Sequence, residues 1–192
     1  SPAPRVDAEL HRRIMDEVIH PTVRGLAEEG MPYLGFLYAG LMIDTQGNPR
    51  VLEYNCRFGD PETQPILMRM RSDLAGLCQA ALDGELDRFE IEWDPRFALG
   101  VVMVADGYPG EYPRGDKISG LQDTRSDNIK VFHAGTRQES GQTITDGGRV
   151  LCVTALGATV NDAQREAYAA VSTIHWPGAG WRPDIGWRAL NR

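Results

Sequence analysis

The sequence is poor in cysteine, has no long hydrophobic run and carries no excess of positive charge. Its three cysteines, Cys56, Cys78 and Cys152, are far apart in a chain of 192 residues and form no CxxC pair. The simplest interpretation is that each is a small buried hydrophobic side chain in a reducing compartment, so the cytoplasm is the expected location.

Charge and hydropathy argue against two further classes of protein. The 27 acidic and 20 basic residues give a formal net charge of −7, which disfavours a nucleic-acid-binding protein. The longest apolar stretches, such as residues 99–105, have the length of buried strands and are too short to span a membrane. With 42% hydrophobic and 24% charged residues, the composition is that of an ordinary soluble globular protein.

The start of the chain, Ser1-Pro2-Ala3-Pro4, contains no initiator Met and none of the features of a targeting segment. We expect this stretch to lie within a loop, and the chain to be a piece of a longer protein. Its length is enough for one domain or two small ones.

The first half predicts helices around a β-hairpin. Asp7 can cap a helix that Pro21 should kink or restart. Residues 34–43 are almost wholly apolar and predict a strand buried on both faces. A turn at residues 44–49 then leads into an antiparallel strand at residues 50–56.

A second helical region follows the hairpin. Asp60-Pro61-Glu62 has the pattern of a helix start, with an Asp cap and Pro at the first helical position. Ser72 or Asp73 can cap a continuation that Gly84 ends. The polar stretch 86–95 is a candidate domain boundary, so we expect domains at residues 1–92 and 93–192.

The second half predicts a small mixed domain of short strands and one helix. Asn161 or Asp162 is expected to cap the helix, and residues 184–189 form a possible edge strand. The expected fold class is therefore α+β, with strands at residues 97–105, 130–133, 136–139 and 149–155.

The strand at residues 50–56 carries the most informative chemistry. Side chains alternate along a strand, so Glu53, Asn55 and Arg57 should share one face. A carboxylate and an amide oxygen suit a hard cation such as Mg²⁺, and a guanidinium can donate to a phosphoryl group. An exposed strand face also often carries such residues merely as solvated side chains. The helix start at Asp60 would add an anion-favouring group beside the trio, but both interpretations stay open on the residues alone.

Beyond this pattern, the sequence closely resembles the glycinamide ribonucleotide synthetases (phosphoribosylamine–glycine ligases) of the ATP-grasp superfamily. E-x-N-x-R strands occur in many ATP-grasp enzymes, whereas the continuation R-F-G-D-P-E-T-Q at residues 57–64 is much more specific to this ligase. The resemblance runs from Ser1 to about Arg188 and includes the segments 35–44, 107–110, 131–136, 147–151 and 184–188.

The resemblance implies part of an ATP-grasp core followed by a carboxy-terminal domain. It also implies an ATP-dependent ligase of purine synthesis that joins glycine to 5-phosphoribosylamine through a glycyl phosphate, releasing ADP and phosphate. By carry-over, Glu53 and Asn55 are ligands of Mg²⁺ or Mn²⁺, Arg57 is the catalytic and ATP-contacting residue, and Asp60 is a weaker substrate-binding candidate. No role is assigned to His133, for which a core position is the simpler expectation, or to Arg149.

Two departures from the family pattern affect these expectations. Gly40 stands where many ATP-grasp enzymes have another acid, which puts a second metal in doubt. The only lysines, Lys117 and Lys130, lie outside any Gly-rich lid. We therefore expect the amino-terminal part of the same enzyme as a partner, and little activity from this chain alone. A non-catalytic module, half of a split enzyme, or another ATP-grasp ligase are the alternatives.

Overall fold

The computed structural model describes residues 1–124 and 126–190, and the chain divides into two compact units. The first, here called the hairpin unit, comprises Pro2–Asp60 and Arg71–Glu92. The second, the sheet unit, comprises Ser1, Pro61–Met70 and the chain from Trp93 onward. Among the described residues, no helix has the length and apolar character needed to cross a membrane.

The hairpin unit begins with a helical segment interrupted by one wide turn. Helix α1 spans Ala8–Ile14, and the Asp7 carboxylate caps it by accepting a hydrogen bond from the backbone N–H of Leu10. A π-helical turn at Met15–Ile19 leads into helix α2 at His20–Glu28. Pro21 has no N–H, and its ring crowds the carbonyl one turn earlier, so the wider turn relieves the conflict. The predicted cap and interruption are both confirmed.

The predicted hairpin is confirmed, with a shorter first strand and a second strand that is displaced by one residue. Strand β1 (Tyr38–Ile43) pairs antiparallel with β2 (Pro49–Asn55), and a bulge shifts the register between Gly40 and Leu41. The prediction of a strand from residue 34, buried on both faces, is wrong. Residues 34–37 are not in a strand, and Met42 is 56% exposed. Apolar composition gave no information about which neighbours cover the strand.

Helix α4 (Leu74–Leu82) completes the hairpin unit, together with a short 3₁₀ turn at Leu86–Arg88. Asp73, one of the two caps that the sequence predicted, caps α4 by accepting hydrogen bonds from the N–H groups of Ala75 and Gly76. Gly84, with φ of +72°, follows the end of the helix in the left-handed conformation that glycine favours.

The sheet unit is built on an antiparallel sheet whose strands lie in the order β4 (Ile129–His133), β7 (Arg149–Gly157), β3 (Phe97–Val104) and β8 (Gly180–Trp181). A separate hairpin is formed by β5 and β6, and three helices complete the unit. The elements are α3 (Thr63–Arg69), β3 (Phe97–Val104), β4 (Ile129–His133), β5 (Thr136–Glu139), β6 (Gln142–Thr145), β7 (Arg149–Gly157), α5 (Val160–Val171), β8 (Gly180–Trp181) and α6 (Trp187–Leu190).

Helices cover both faces of this sheet. On one face, Val101 and Met103 of β3 are fully buried in the core that includes Ala163 and Ala167 of α5. On the other face α3 packs against β3 and β7. Gly100 makes this approach possible, because a Cβ there would lie 3.3 Å from Cγ of Pro65. Strand β7 is consequently buried along almost its whole length.

The α+β prediction is confirmed, while several local predictions are wrong. Helix α3 begins at Thr63, with Glu62 at the N-cap and no capping side chain, so Asp60 does not start it. Thr159, and neither Asn161 nor Asp162, caps α5. Residues 184–189 form a turn and the start of α6, whereas the edge strand is β8.

Candidate functional site

Strand β2 brings the predicted trio together on one face. The Asn55 amide Nδ2 donates to Glu53 Oε1 at 3.2 Å. The Arg57 guanidinium Nη2 donates to Asn55 Oδ1 at 3.4 Å. Acid, amide and guanidinium therefore form a continuous polar row, as the alternation of the strand predicted.

Arg57 lies just past the end of β2, and its position is fixed by the residue that follows it. Its Nη1 donates to the backbone carbonyl of Phe58 at 2.7 Å. The Phe58 ring stacks on that of Phe36, with centroids 3.9 Å apart. Tyr33 Oη in turn donates to the carbonyl of Phe36 at 2.9 Å. Sequence alternation predicted the row but not this aromatic support, because stacking between residues 22 apart leaves no local pattern.

Gly40 has a steric role beside the row. It pairs with Glu53 across the hairpin, and a Cβ at this position would lie only 3.1 Å from Glu53 Cγ. That distance is tighter than an ordinary van der Waals contact, so a side chain at residue 40 would require the Glu53 side chain to shift by a few tenths of an ångström. The glycine noted as a departure from the ATP-grasp pattern is therefore what gives Glu53 its space.

The far end of the hairpin is tied to helix α1. Arg13 Nη1 donates to the carbonyl of Gly47 at 3.0 Å, and its Nη2 donates to Asn48 Oδ1 at 3.2 Å. Within the turn, the backbone N–H of Asn48 donates to Asp44 Oδ1 at 2.8 Å. This backbone hydrogen bond, followed by those from the Asn48 side chain and Gln46, holds the pKa of Asp44 below its ordinary value of 3.8. The turn, which the ionised Asp44 carboxylate organises, is therefore anchored to α1 and fixes the hairpin that carries the row.

The donor chemistry of the row fits a divalent cation that is only partly coordinated by protein. Glu53 offers carboxylate oxygens and Asn55 an amide oxygen, which are the oxygen ligands that Mg²⁺ and Mn²⁺ accept. Within the described ranges, no cluster of three or more His, Cys, Asp or Glu side chains could hold a metal. A cation at this row would take its remaining ligands from phosphate and water, as Mg²⁺ commonly does.

The structure places the other sequence candidates on other elements of the chain. Asp60 is exposed in the turn that precedes α3. His133 is exposed on β4, with its Nδ1 3.1 Å from Thr136 Oγ1, so the expectation of a core histidine is wrong. Arg149 is exposed at the start of β7.

Comparison with known proteins gives consistent matches in both halves of the chain. The model for the phosphoribosylglycinamide synthetase ATP-grasp (A) domain matches residues 1–63, and that for the C domain of the same synthetase matches residues 98–188. Proteins named phosphoribosylamine–glycine ligase from Vibrio parahaemolyticus and from Escherichia coli O157:H7 are each 60% identical to the whole of this chain.

Solved structures agree. The crystal structure of phosphoribosylamine–glycine ligase from Thermotoga maritima matches with a TM-score of 0.73 and 36% identity, covering 91% of this chain and 42% of that one. An N5-carboxyaminoimidazole ribonucleotide synthetase from the same organism matches with a TM-score of 0.62 and 16% identity, covering 92% and 44% of the two chains, and so shares the fold.

The chain spans 45% of the length of the two curated relatives. The two family models follow each other along the sequence in the expected order, and the curated relatives match it from end to end. The resemblance seen in the sequence is thereby confirmed, and the chain belongs to the phosphoribosylglycinamide synthetase family.

Proposed function

We propose that this chain is part of a phosphoribosylamine–glycine ligase, which uses ATP to join glycine to 5-phosphoribosylamine in purine synthesis. The relatives that carry this name match the chain over its whole length. In the proposed reaction, the glycine carboxylate takes the terminal phosphoryl group of ATP, and ADP leaves. The amine of 5-phosphoribosylamine then attacks the acyl carbon, phosphate leaves, and the amide bond forms.

The observation that carries this proposal is the row of Glu53, Asn55 and Arg57. Glu53 and Asn55 would hold Mg²⁺ or Mn²⁺, which supplies positive charge beside the ATP phosphates when bound. Arg57 would donate hydrogen bonds to the transferred phosphoryl group or to the acyl phosphate, where negative charge develops. Asp60 is the proposed substrate-binding residue, and its carboxylate would hold an amino group of a substrate.

We further propose that residues 1–92 belong to the ATP-grasp domain and residues 93–192 to the carboxy-terminal domain. The matched ranges of the two family models lie within these limits. The amino-terminal part of the same enzyme would complete the ATP-binding site. The cytoplasm is the proposed location.

A chimeric enzyme tests the ligase activity. This chain replaces the corresponding residues of the Escherichia coli O157:H7 relative, to which it is 60% identical, and ADP release is measured with and without glycine and 5-phosphoribosylamine. Glycine-dependent ADP release at a rate near that of the parent enzyme is expected. A soluble, folded chimera that shows none would refute the proposal.

Variants of the chimera test the roles within the row. Arg57→Ala should lower kcat about 100-fold, the usual effect of removing a donor to developing charge. Glu53→Gln should raise the concentration of Mn²⁺ needed for half-maximal activity. The control, Glu28→Gln at the end of α2, changes the same charge on an exposed residue and should alter neither quantity. If Glu53→Gln and the control had equal effects, the proposal that Glu53 binds the metal would be refuted.

Calorimetric titration of the isolated chain with Mg-ATP separates the remaining alternatives. Weak or absent binding, together with no ligase turnover, is expected because ATP would be held from one side only. Tight binding would instead favour an autonomous nucleotide-binding module. Replacement of glycine by other carboxylic acids in the chimera assay would expose a different ATP-grasp ligase.

A further inference from the structure

Two segments that flank the hairpin of β1 and β2 lie side by side at the Arg57 end of the row. Strand β1 begins at Tyr38, opposite Asn55, the last residue of β2. Phe36 stands two residues before that pair and Arg57 two residues after it, so antiparallel pairing brings both to the same end of the hairpin. The function proposed above gives Phe36 no part, although its ring is the one that stacks on Phe58.

The carbonyl of Phe58 is the stronger of two anchors of the guanidinium. Arg57 Nη1 donates to this carbonyl at 2.7 Å, whereas Nη2 donates to Asn55 Oδ1 at 3.4 Å. The shorter distance is that of a strong charge-assisted hydrogen bond, and the longer one is that of a weak bond. Phe58 lies beyond the end of β2, outside the ladder of hydrogen bonds that fixes a strand. The anchor is therefore only as firm as whatever else holds Phe58.

The ring of Phe36 supplies that hold. Its centroid is 3.9 Å from that of Phe58, and the two ring planes differ by 26°. The backbone of Phe36 is held in turn, because Tyr33 Oη donates to its carbonyl at 2.9 Å. Gly35, with φ of +145°, lets the chain turn back on this hydroxyl, and a Cβ there would lie 3.3 Å from Tyr33 Oη. The contacts thus run from Tyr33 through the two rings to the Arg57 guanidinium.

This stack differs from a pair of core residues. Phe36 is 37% exposed and Phe58 is half-buried, so the stack removes less apolar surface from water than a core pair does. An arginine side chain at an exposed strand end would otherwise populate many rotamers, and the entropy of ordering it would be lost when it meets an anion. A stack that holds the carbonyl acceptor in place removes part of that loss in advance.

We propose that Phe36 is a positioning residue of the ligase. By stacking on Phe58 it fixes the carbonyl that anchors Arg57, and so it holds the guanidinium ready for the transferred phosphoryl group. Phe36 contacts neither the metal nor the phosphoryl group in this arrangement and acts only through Arg57. The inference rests on the proposed function, because that function gives Arg57 its role.

Nuclear magnetic resonance of the whole chain tests the positioning without any ligase chemistry. The order parameter of the Arg57 Nε–Hε group is measured by nitrogen-15 relaxation, and Arg57→Lys identifies the resonance. Phe36→Ala should lower this order parameter to below about 0.6, the range of flexible groups, whereas Phe36→Tyr keeps the ring and should preserve it. The matched control is Leu82→Ala, which removes an apolar side chain that is 70% exposed in the same unit and should change nothing.

The chimera tests the consequence for the reaction. Phe36→Ala should lower kcat about 10-fold, less than Arg57→Ala does, because the guanidinium is present but poorly placed. The concentration of Mn²⁺ for half-maximal activity should stay within about 2-fold, since Glu53 and Asn55 hold the metal. In the Arg57→Ala background, Phe36→Ala should cause no further loss, because the ring acts only through that side chain. Phe36→Tyr should keep the parent kcat, and so should Leu82→Ala.

Three results would overturn the proposal: an Arg57 order parameter unchanged by Phe36→Ala, an equal decrease from Leu82→Ala, or equal losses of kcat from Phe36→Ala with and without Arg57. Circular dichroism confirms the fold of each variant. If Phe36→Ala does not fold, Phe36→Leu, which keeps apolar bulk but loses the ring, carries the same expectations.

Failure of this inference is distinguishable from failure of the proposed function. An active chimera in which Phe36→Ala alters neither kcat nor the order of Arg57 would refute the positioning role alone. An inactive chimera, together with an Arg57 side chain that becomes mobile in Phe36→Ala, would refute the ligase and leave the anchoring of Arg57 by Phe36 standing.

Discussion

Loss of the buried carboxylate of Asp94 should destabilise the sheet unit far more than loss of an exposed one. Asp94 is 4% exposed. Its Oδ1 accepts hydrogen bonds from the backbone N–H and the Nε of Arg96, both at 2.9 Å, and its Oδ2 accepts one from Nη2 at 2.8 Å. The Asp94→Asn variant keeps the shape but removes the charge and turns an amide N–H₂ towards the guanidinium.

The cost follows from the number and burial of these bonds. All three are charge-assisted, and the two from the guanidinium each lose roughly half of their 1.5–3 kcal/mol when the acid becomes an amide. Breaking a buried pair from one side costs about 3–5 kcal/mol, but Arg96 keeps 38% of its side chain exposed and so recovers some hydration. We therefore expect Asp94→Asn to lower the free energy of unfolding by about 2–3 kcal/mol.

Glu139→Gln provides the comparison. Glu139 pairs with Arg137, also two residues away in the same unit, at 3.1 Å, but the two side chains are 54% and 46% exposed. Exposed pairs contribute about 0.2–1 kcal/mol, so this variant should cost less than about 0.5 kcal/mol. Urea denaturation monitored by circular dichroism measures both values. Equal effects of the two variants would show that burial does not determine the strength of these pairs.

Three further predictions concern the helix cap, the turn and the metal row. Thr159→Ala should cost about 1 kcal/mol in urea denaturation, because the hydroxyl of Thr159 caps α5; an unchanged midpoint would contradict the cap. Asp44 should titrate below pH 3.8 in an NMR experiment, chiefly because the backbone N–H of Asn48 donates to it. Its contribution to stability should be complete above that pH and decline as the pH falls through the lowered pKa, and a midpoint at or above 3.8 would contradict this. Gly40→Val should weaken Mn²⁺ binding about 10-fold in electron paramagnetic resonance titrations by displacing Glu53, and unchanged affinity would show that the close approach is not restrictive.

Local signals in the sequence predicted much of the fold. Asp7 and Asp73 cap helices because a short acidic side chain reaches backbone N–H groups only two or three residues away. The interruption near Pro21 follows from the ring of one residue. The polar row on β2 follows from the alternation of a strand, which needs no knowledge of distant contacts.

Predictions that depended on distant neighbours failed. Residues 34–43 are apolar, but composition cannot say where pairing begins, and in the structure β1 starts at Tyr38, the residue opposite Asn55. Asp60-Pro61-Glu62 has every local mark of a helix start, yet α3 begins at Thr63. Pro65 lies in the first turn of α3 and packs close to Gly100 of β3. The later start therefore coincides with the point at which the helix fits against the sheet.

The same division between local and distant information applies to the candidate site on β2 and to a cavity of about 480 Å³ on the sheet unit. The row of Glu53, Asn55 and Arg57 lies within five consecutive residues, so periodicity alone could predict it. The cavity on the sheet unit takes Arg149 from the start of β7 and Arg182 from the segment after β8, and it takes its floor from β3. No spacing along the chain links these residues, and only the strand order β7-β3-β8 brings them together.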